Sequence, residues 1–384
     1  MFISIKRLFS VIIYLPIALI FKIFSIRIPY FFTERIGHLV VDPDSFLKQH
    51  YMLNKTYPSC VMLAPPDLVA NSRLIEYWKK YFFVIENRFL CRLLLPLCFH
   101  PLLKLEEKYA ATINASSSIY KISTEWGEQK PLLKISDRDS AIGFETLGKM
   151  GLSKEDWFVC IHAREGGYSQ SDEHLHSFRN TPIEDFLPAI KFITSQGGKC
   201  IRMGDLSMKP APEYTGLIDY AKSSFKSELM DLFLCSKCLF FLGSNSGIFE
   251  LSSLFGRPVA IVNMAPMSVL PRGLSDLSLP MLHADSKTGE LISFSQIMEK
   301  ETSNFRTSEE FIKAGITLVP NKPEEILELA AEQLQRAKYP YSLEESEEIL
   351  QYKYKALFKD GHYAWGASSK IGNKFLKRYS QLLS

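Results

Sequence analysis

Two short stretches carry the side chains best suited to hold an anion. In LFFLGSNSGIFELSSLFGRPVAIVN an apolar run enters Gly-Ser-Asn-Ser-Gly and passes at once into a helical pattern. That order predicts a strand, a turn and a helix whose first N–H groups and positive dipole end face out of the sheet's carboxyl edge. Ser244, Asn245 and Ser246 add side-chain donors, and Gly243 and Gly247 permit close approach of a diphosphate. An ordinary turn with Ser and Asn as N-caps has the same composition and needs no ligand. The second stretch is FVCIHAREGGY, where His162, Arg164 and Glu165 follow an apolar run and lead into Gly166 and a second glycine. An arginine there can fork onto a phosphate; a surface loop with an incidental Arg is the competing explanation. Two such loops on neighbouring strands converge on one crevice, so each strengthens the other. A third strand end, Arg202-Met203-Gly204-Asp205, points the same way.

These loops need a parallel sheet to hold them, and the pattern supplies one. WFVCIH (157–162), KCIRMGD (199–205), LIDYA (217–221), CLFFLG (238–243) and RPVAIVN (257–263) read as strands. IEDFLPAIKFITSQGG, SELMDLFLCSK and IFELSSLFG read as helices between them. Strands alternating with helices of this length imply βαβ units with both sheet faces covered. The stretch GITLVPNKPEEILELAAEQLQR adds a last strand and a long helix, and two more helical stretches fill 342–384. Earlier in the chain, SCVMLAPP and FFVIEN are strand-like, NSRLIEYWKKY is helical, and DPDSFLKQHYML starts a helix capped by an Asp. The expected fold is α/β, two facing Rossmann-like domains with a ligand cleft between them and an apolar N-terminal helix. The expected boundaries are an arm over 1–30, an α/β domain over 31–150, a second over 151–340, and C-terminal helices over 341–384 packing back on the first domain.

Composition narrows the partners. The chain has 384 residues, with 45 Lys and Arg against 42 Asp and Glu, so its charge is too small for the multi-phosphate footprint of a nucleic-acid binder. The 7 cysteines are odd in number and sit mostly in apolar runs, which suits buried free thiols of a reducing compartment. Residues 1–30 hold Lys6, Arg7, Lys22 and Arg27 and no acid, so the whole positive excess lies in the arm. Its uncharged run, Leu8 to Phe21, is shorter than the ~20 residues a spanning helix needs. No small-residue cleavage site follows it. An interfacial anchor on an anionic membrane surface is expected, peripheral or monotopic; a buried first helix would have to find partners for all four bases.

Taken in order, FVCIHAREGGY, HSFRN, AIKFITSQGGKCIRMGD and FFLGSNSGIFELSSLFGRPVAIVN resemble a family of bacterial glycosyltransferases found among surface-glycan biosynthesis proteins. ERIGHL near the start and SKIGNKFLKRYSQLL at the end extend the resemblance from about residue 31 to the terminus, and the SNSG-helix-GRPV module is also similar to the sugar-nucleotide domain of heptosyltransferases. The resemblance implies a GT-B-like, twin-Rossmann enzyme of the cytoplasmic face of the inner membrane. It would pass a sugar from a nucleotide-sugar donor on its C-terminal domain to a glycan or lipid-linked saccharide acceptor, with neither cofactor nor metal. Such transfer needs cations or N–H groups on the departing diphosphate, for which Arg164 and Ser244 to Gly247 are the first candidates and Arg202 and Lys226 the next. It also needs a general base, for which His38 and Glu165 are the candidates. Arg179 and Asn180 would cap ligand groups or only the following helix. A nucleotide-sugar epimerase on the same fold, or a membrane-tethered glycan-binding protein with an idle site, are the alternatives.

Three further patterns carry no site. Asp42-Pro-Asp44 and Asp137-Arg-Asp139 match a metal-binding Asp-x-Asp but read as structural, the first as a helix start. His174-Leu-His176 with Asp172 and Glu173 has no second ligand pair, and Cys235-Ser-Lys-Cys238 has no partner pair for zinc.

Overall fold

A computed structural model describes residues 5–53, 59–104, 116–166 and 175–384. The chain forms two compact units, Met1–Ile122 and Ser123–Ser384.

In the first unit, α1 (Ile5–Ile23) turns one stripe inward. Ala18 is fully buried with Ile28, Val61, Leu97 and Leu103, and Tyr14, Ile17 and Phe21 flank it at helical spacing. Its remaining circumference is also apolar but open to solvent: Phe9, Ile12, Ile13, Ile20 and Ile23, with Phe24 just beyond, are all more than half exposed. No helix among the described residues is long and apolar enough to cross a membrane. After α1 come α2 (Ile36–Met52), β1 (Val61–Leu63), α3 (Ser72–Trp78), β2 (Phe83–Ile85) and α4 (Arg88–Leu94). Asn71 and Asn87 cap α3 and α4 by accepting the amides of Leu74 and Leu90. β1 and β2 pair in parallel. Among the described residues the first unit thus shows one parallel strand pair and no larger sheet. Its core is aromatic, with Phe31, Phe46, Trp78 and Phe82 meeting mostly edge to face.

The second unit begins with α5 (Ser116–Trp126) carrying the boundary, then α6 (Asp137–Lys149), whose N-cap is Ser136. The sequence boundary at 150/151 is thus displaced, because α6 belongs to this unit: a Cβ on Gly143 would fall 2.1 Å from the ring of Phe233, so only glycine lets α6 and α8 (Glu228–Lys237) come this close. The sheet strands are β3 (Phe158–His162), β4 (Lys199–Arg202), β5 (Leu217–Ile218), β6 (Phe241–Ser244), β7 (Val259–Met264) and β8 (Leu277–Pro280). A separate antiparallel pair joins β9 (Leu282–Asp285) to β10 (Ile316–Val319), and β11 (Lys370–Ile371) closes the main sheet. That sheet has seven parallel strands in the order β11-β8-β7-β6-β3-β4-β5. Val159, Ile161, Ile201, Leu242 and Val259 to Val262 are fully buried, the near-continuous apolar strands expected where helices cover both faces.

Helices α7 (Leu187–Ser195) and α12 (Pro323–Lys338) pack on one another. Between α8 and α12 lie α9 (Phe249–Leu254), α10 (Phe294–Glu299) and α11 (Ser308–Lys313); α13 (Glu345–Ala356) and α14 (Asn373–Arg378) follow. The C-terminal segment, expected on the first domain, is built into the second unit. β11 pairs with β8, Arg378 bonds Glu325 and Glu328 of α12, and the amide of Asn373 donates to Glu332 at 2.8 Å. LIDYA yields only a two-residue strand, followed by a 3-10 turn over Tyr220–Lys222. All seven cysteines are free thiols, and Cys235 and Cys238 lie in the core.

Candidate functional site

Without β11, the strand order from β5 to β8 is that of a doubly wound nucleotide-binding sheet. The chain runs outward from β3 through β4 to β5, returns to the other side of β3 with β6, and continues to β8. The order therefore reverses between β3 and β6, and in such sheets ligands bind outside the carboxyl ends of the strands at that reversal. Both phosphate-type loops of the sequence leave these two strands. They are joined there: the amide of Arg164 donates to Ser244 Oγ at 2.8 Å. Gly243 serves this junction rather than a ligand, since a Cβ on it would lie 2.7 Å from the carbonyl oxygen of His162.

The SNSG turn divides its labour. Ser244 is fully buried and its hydroxyl receives the Arg164 amide, while Asn245 is buried and donates Nδ2–H to the carbonyl of Ala265 at 2.9 Å. These two side chains brace the turn. Ser246, half-buried, and Gly247, exposed, remain to face a ligand, and the amide of Gly247 has no acceptor among the described residues. The helix behind them, α9, is only 6 residues long, so the local N–H groups matter more here than a macrodipole.

His162 ends β3, 8% exposed, with Nδ1 3.1 Å from the carbonyl of Met203. A carbonyl only accepts, so Nδ1 carries the proton and Nε2 a lone pair. Burial, with the Arg202 charge adding to it, pushes the imidazole down to about 4, so it is neutral at pH 7 and can take a ligand hydroxyl. The Arg164 guanidinium reaches the carbonyl of His176 at 3.2 Å and the Asn180 side chain. His176 in turn donates Nδ1–H to the carbonyl of Arg306 at 2.9 Å. Arg179 lies over the Phe178 ring, 5.4 Å from its centroid. This segment is tied down at Thr181, whose amide donates to the Arg164 carbonyl and whose hydroxyl accepts from Asn263 Nδ2 at 2.9 Å. Asn263, at φ +52° on β7, exchanges two further bonds with Asn321, each amide donating 2.6 Å to the other's side-chain oxygen. The motifs of the sequence do not single out Thr181, Asn263 or Asn321. An Asn closing the apolar run VAIVN is the available signal, because Asn tolerates positive φ.

Four sequence candidates are committed elsewhere. Arg202 is fully buried and its guanidinium is spent on Glu165 Oε1 at 2.6 Å, both oxygens of Asp219 at 3.2 Å and the Lys209 carbonyl at 2.7 Å. Glu165 gives its other oxygen to the Lys209 amide at 2.9 Å, so neither is placed as a phosphate ligand or a general base. Lys226 pairs with Asp231 at 2.6 Å beside the Tyr220 ring, again an internal contact. Asp205 accepts the Ser207 amide at 2.8 Å and shapes the turn after β4. Gly166 is exposed at the start of its loop; Gly167, Asp172, Glu173 and His174 lie outside the described residues. Among the described residues no group of three metal-binding side chains occurs.

In the first unit, His38 is on α2 with Nδ1 3.3 Å from Asp42 Oδ2, the imidazole 30% and the carboxylate 2% exposed. A buried carboxylate behind a half-open imidazole fixes the ring and leaves Nε2 outward, the arrangement that suits a general base. Asp42 and Asp44 are not helix caps as the sequence suggests. Arg35 is the N-cap, both carboxylates lie inside the helix and buried, and Asp44 pairs with Lys48 at 2.8 Å.

No protein-family model matches the sequence, and no curated protein matches it. Among solved structures the chain is similar to the glycosyl transferase family 9 from Veillonella parvula DSM 2008, at 13% identity over 78% of this chain and 79% of that one, with a TM-score of 0.36. It is similar to the E. coli ADP-heptose lps heptosyltransferase II at 12% identity, 63% and 85% coverage and a TM-score of 0.37. A Methanocaldococcus jannaschii UDP-GlcNAc 2-epimerase in complex with UDP-GlcNAc and UDP matches at 12% identity, 59% and 65% coverage and a TM-score of 0.21. The functional reading therefore rests on the site itself.

Proposed function

We propose that the protein is a glycosyltransferase that binds a nucleotide sugar at the reversal point between β3 and β6 and passes the sugar to a glycan or lipid-linked saccharide. The observation that carries this reading is the Arg164 to Ser244 junction: it sets a cation, a neutral imidazole and a Ser-Gly turn around one sheet edge where doubly wound folds take nucleotides. In the reaction the Arg164 guanidinium, Ser246 hydroxyl and Gly247 amide stabilise the departing diphosphate, and His162 Nε2 accepts a hydroxyl of the donor. His38, oriented by Asp42, is the general-base candidate for the acceptor hydroxyl. The apolar, acid-free α1 supports a place on the cytoplasmic face of the inner membrane, in the assembly of a bacterial surface polysaccharide.

Calorimetry with nucleoside diphosphates and their sugar conjugates tests the site. Ser246→Ala with Arg164→Ala should abolish binding, and unchanged affinity would remove the assignment. Conversion of the donor with no acceptor present would make the protein an epimerase. Glycan binding with no nucleotide affinity would make it a binding protein.

A further inference from the structure

The first unit contains a cavity of about 150 Å³ between the segment Pro29–Glu34 and the α4 region up to Cys98. We propose that this cavity holds the terminal hydrocarbon segment of a membrane amphiphile, an acyl or isoprenoid chain. Its walls are mostly apolar, and two of their polar side chains are turned to backbone carbonyls. The Thr33 hydroxyl donates to the Leu68 carbonyl at 2.9 Å, and the Cys91 thiol donates to the Ile85 carbonyl at 3.0 Å. Burial keeps the Cys98 thiol protonated, its pKa pushed up to about 12. A mostly apolar cavity of this size holds a benzene-sized hydrocarbon, about one isoprene unit. Charge at its lining cancels: Arg88 pairs with Asp67 at 2.6 Å, and Arg92 is matched in number by Glu34. The walls, not a charge, are what recognise the occupant.

The surroundings supply the source of such a chain. Leu95 and Leu68, which line the cavity, are 40% and 44% exposed, and Phe99, stacked on Tyr30 at 5.1 Å, is 57% exposed. The same unit carries the solvent-open apolar side of α1, which packs through Ala18 against Leu97 of this segment and Leu103 beyond it, with exposed Lys22 and Arg27 at its end. A helix fixed to the body along one stripe and apolar elsewhere lies in a bilayer interface, with basic residues toward anionic headgroups. The proposal rests on that membrane reading and not on the assignment of sugar transfer.

The test titrates the full-length protein with farnesol, farnesyl phosphate and inorganic phosphate, following Tm, with vesicle co-sedimentation on the same preparation. Farnesol and farnesyl phosphate should both raise Tm saturably and phosphate should not. Leu95→Trp, which fills the mouth, should weaken farnesol about tenfold or more, whereas Arg92→Gln should change it by about twofold or less. A photoreactive farnesol should label 29–34 or 88–98, a readout that needs no variant. A shift with phosphate alone, undiminished farnesol binding in folded Leu95→Trp, or labelling elsewhere would overturn the proposal. Vesicle binding without farnesol binding removes the cavity's role and leaves the membrane reading standing; farnesol binding without vesicle binding does the reverse.

Discussion

Trp78 donates its indole N–H to the carbonyl of Leu39 at 3.0 Å. Leu39 is the residue four before Pro43, which lies inside α2 and has no N–H to give. The tryptophan of α3 thus replaces the helix hydrogen bond that proline removes, in a buried site where an unmet carbonyl costs about 1–3 kcal/mol. Trp78→Phe should destabilise the first unit by about 2–3 kcal/mol, combining the orphaned carbonyl with lost indole packing. In a Pro43→Ala background, where the helix backbone regains an N–H for the Leu39 carbonyl, the same change should cost about 1 kcal/mol less. Urea unfolding of the four proteins, followed by circular dichroism, measures the difference; equal costs in both backgrounds would show that the indole bond contributes nothing.

Arg202 and Glu165 look catalytic in the sequence and are joined to one another in the fold. Glu165→Ala leaves a fully buried guanidinium with Asp219 and the Lys209 carbonyl as its remaining partners. Because Asp219 still pairs, the loss should be about 2–3 kcal/mol, toward the low end for a broken buried ion pair. Glu165→Gln, which can still accept from Arg202, should recover about half of this and retain turnover. Loss of turnover in Glu165→Gln with unchanged stability would return Glu165 to the role of base.

What is readable in the sequence and what is not follows from how local each determinant is. β3, β4, β6 and β7 announce themselves because a strand buried on both faces is a continuous apolar run, and Ser227 announces α8 because a cap lies within three residues of the amide it accepts. β8 and β9 hide because Ser278 and His283 interrupt short runs, though both side chains are buried. Arg202 looks like a phosphate ligand because its partners, Glu165 and Asp219, lie 37 and 17 residues away. Asp42 looks like a helix cap because a proline usually opens a helix; α2 runs through Pro43 with Trp78, 39 residues from Leu39, supplying the missing bond. His38 and Asp42 are only four residues apart, yet their pairing is hidden as well, since it appears only once α2 is known to run unbroken through both.

Acid sensitivity should centre on His162. Its folded pKa of about 4 lies below the ordinary 6.5, so between those values the unfolded chain binds a proton that the folded chain refuses. Its contribution to stability is therefore complete above pH 6.5 and is lost as pH falls toward 4, amounting to about 3 kcal/mol. His283, held down to about 4 by burial, acts in the same direction, and Asp276, pushed up to about 6 by burial, acts in the opposite one. Comparison with His162→Gln, which can still donate to Met203, isolates the histidine: the wild type should lose about 3 kcal/mol more than the variant between pH 7.5 and 4. Parallel stability curves would show that His162 is not held neutral.

The pairing of His38 with Asp42 predicts how the two should fail. His38→Gln removes the proposed general base and should lower kcat by about 10²–10⁴ with donor affinity unchanged. Asp42→Asn keeps the shape of the helix interior but exchanges the carboxylate that holds Nδ1 for an amide, so it should lower kcat less than His38→Gln. A residue that merely packs would change stability and leave kcat where it was. Nucleotide titrations and turnover measurements on the two variants decide the matter: normal turnover in His38→Gln would remove the base from the first unit, and normal turnover in Asp42→Asn would reduce the carboxylate to a structural contact of α2.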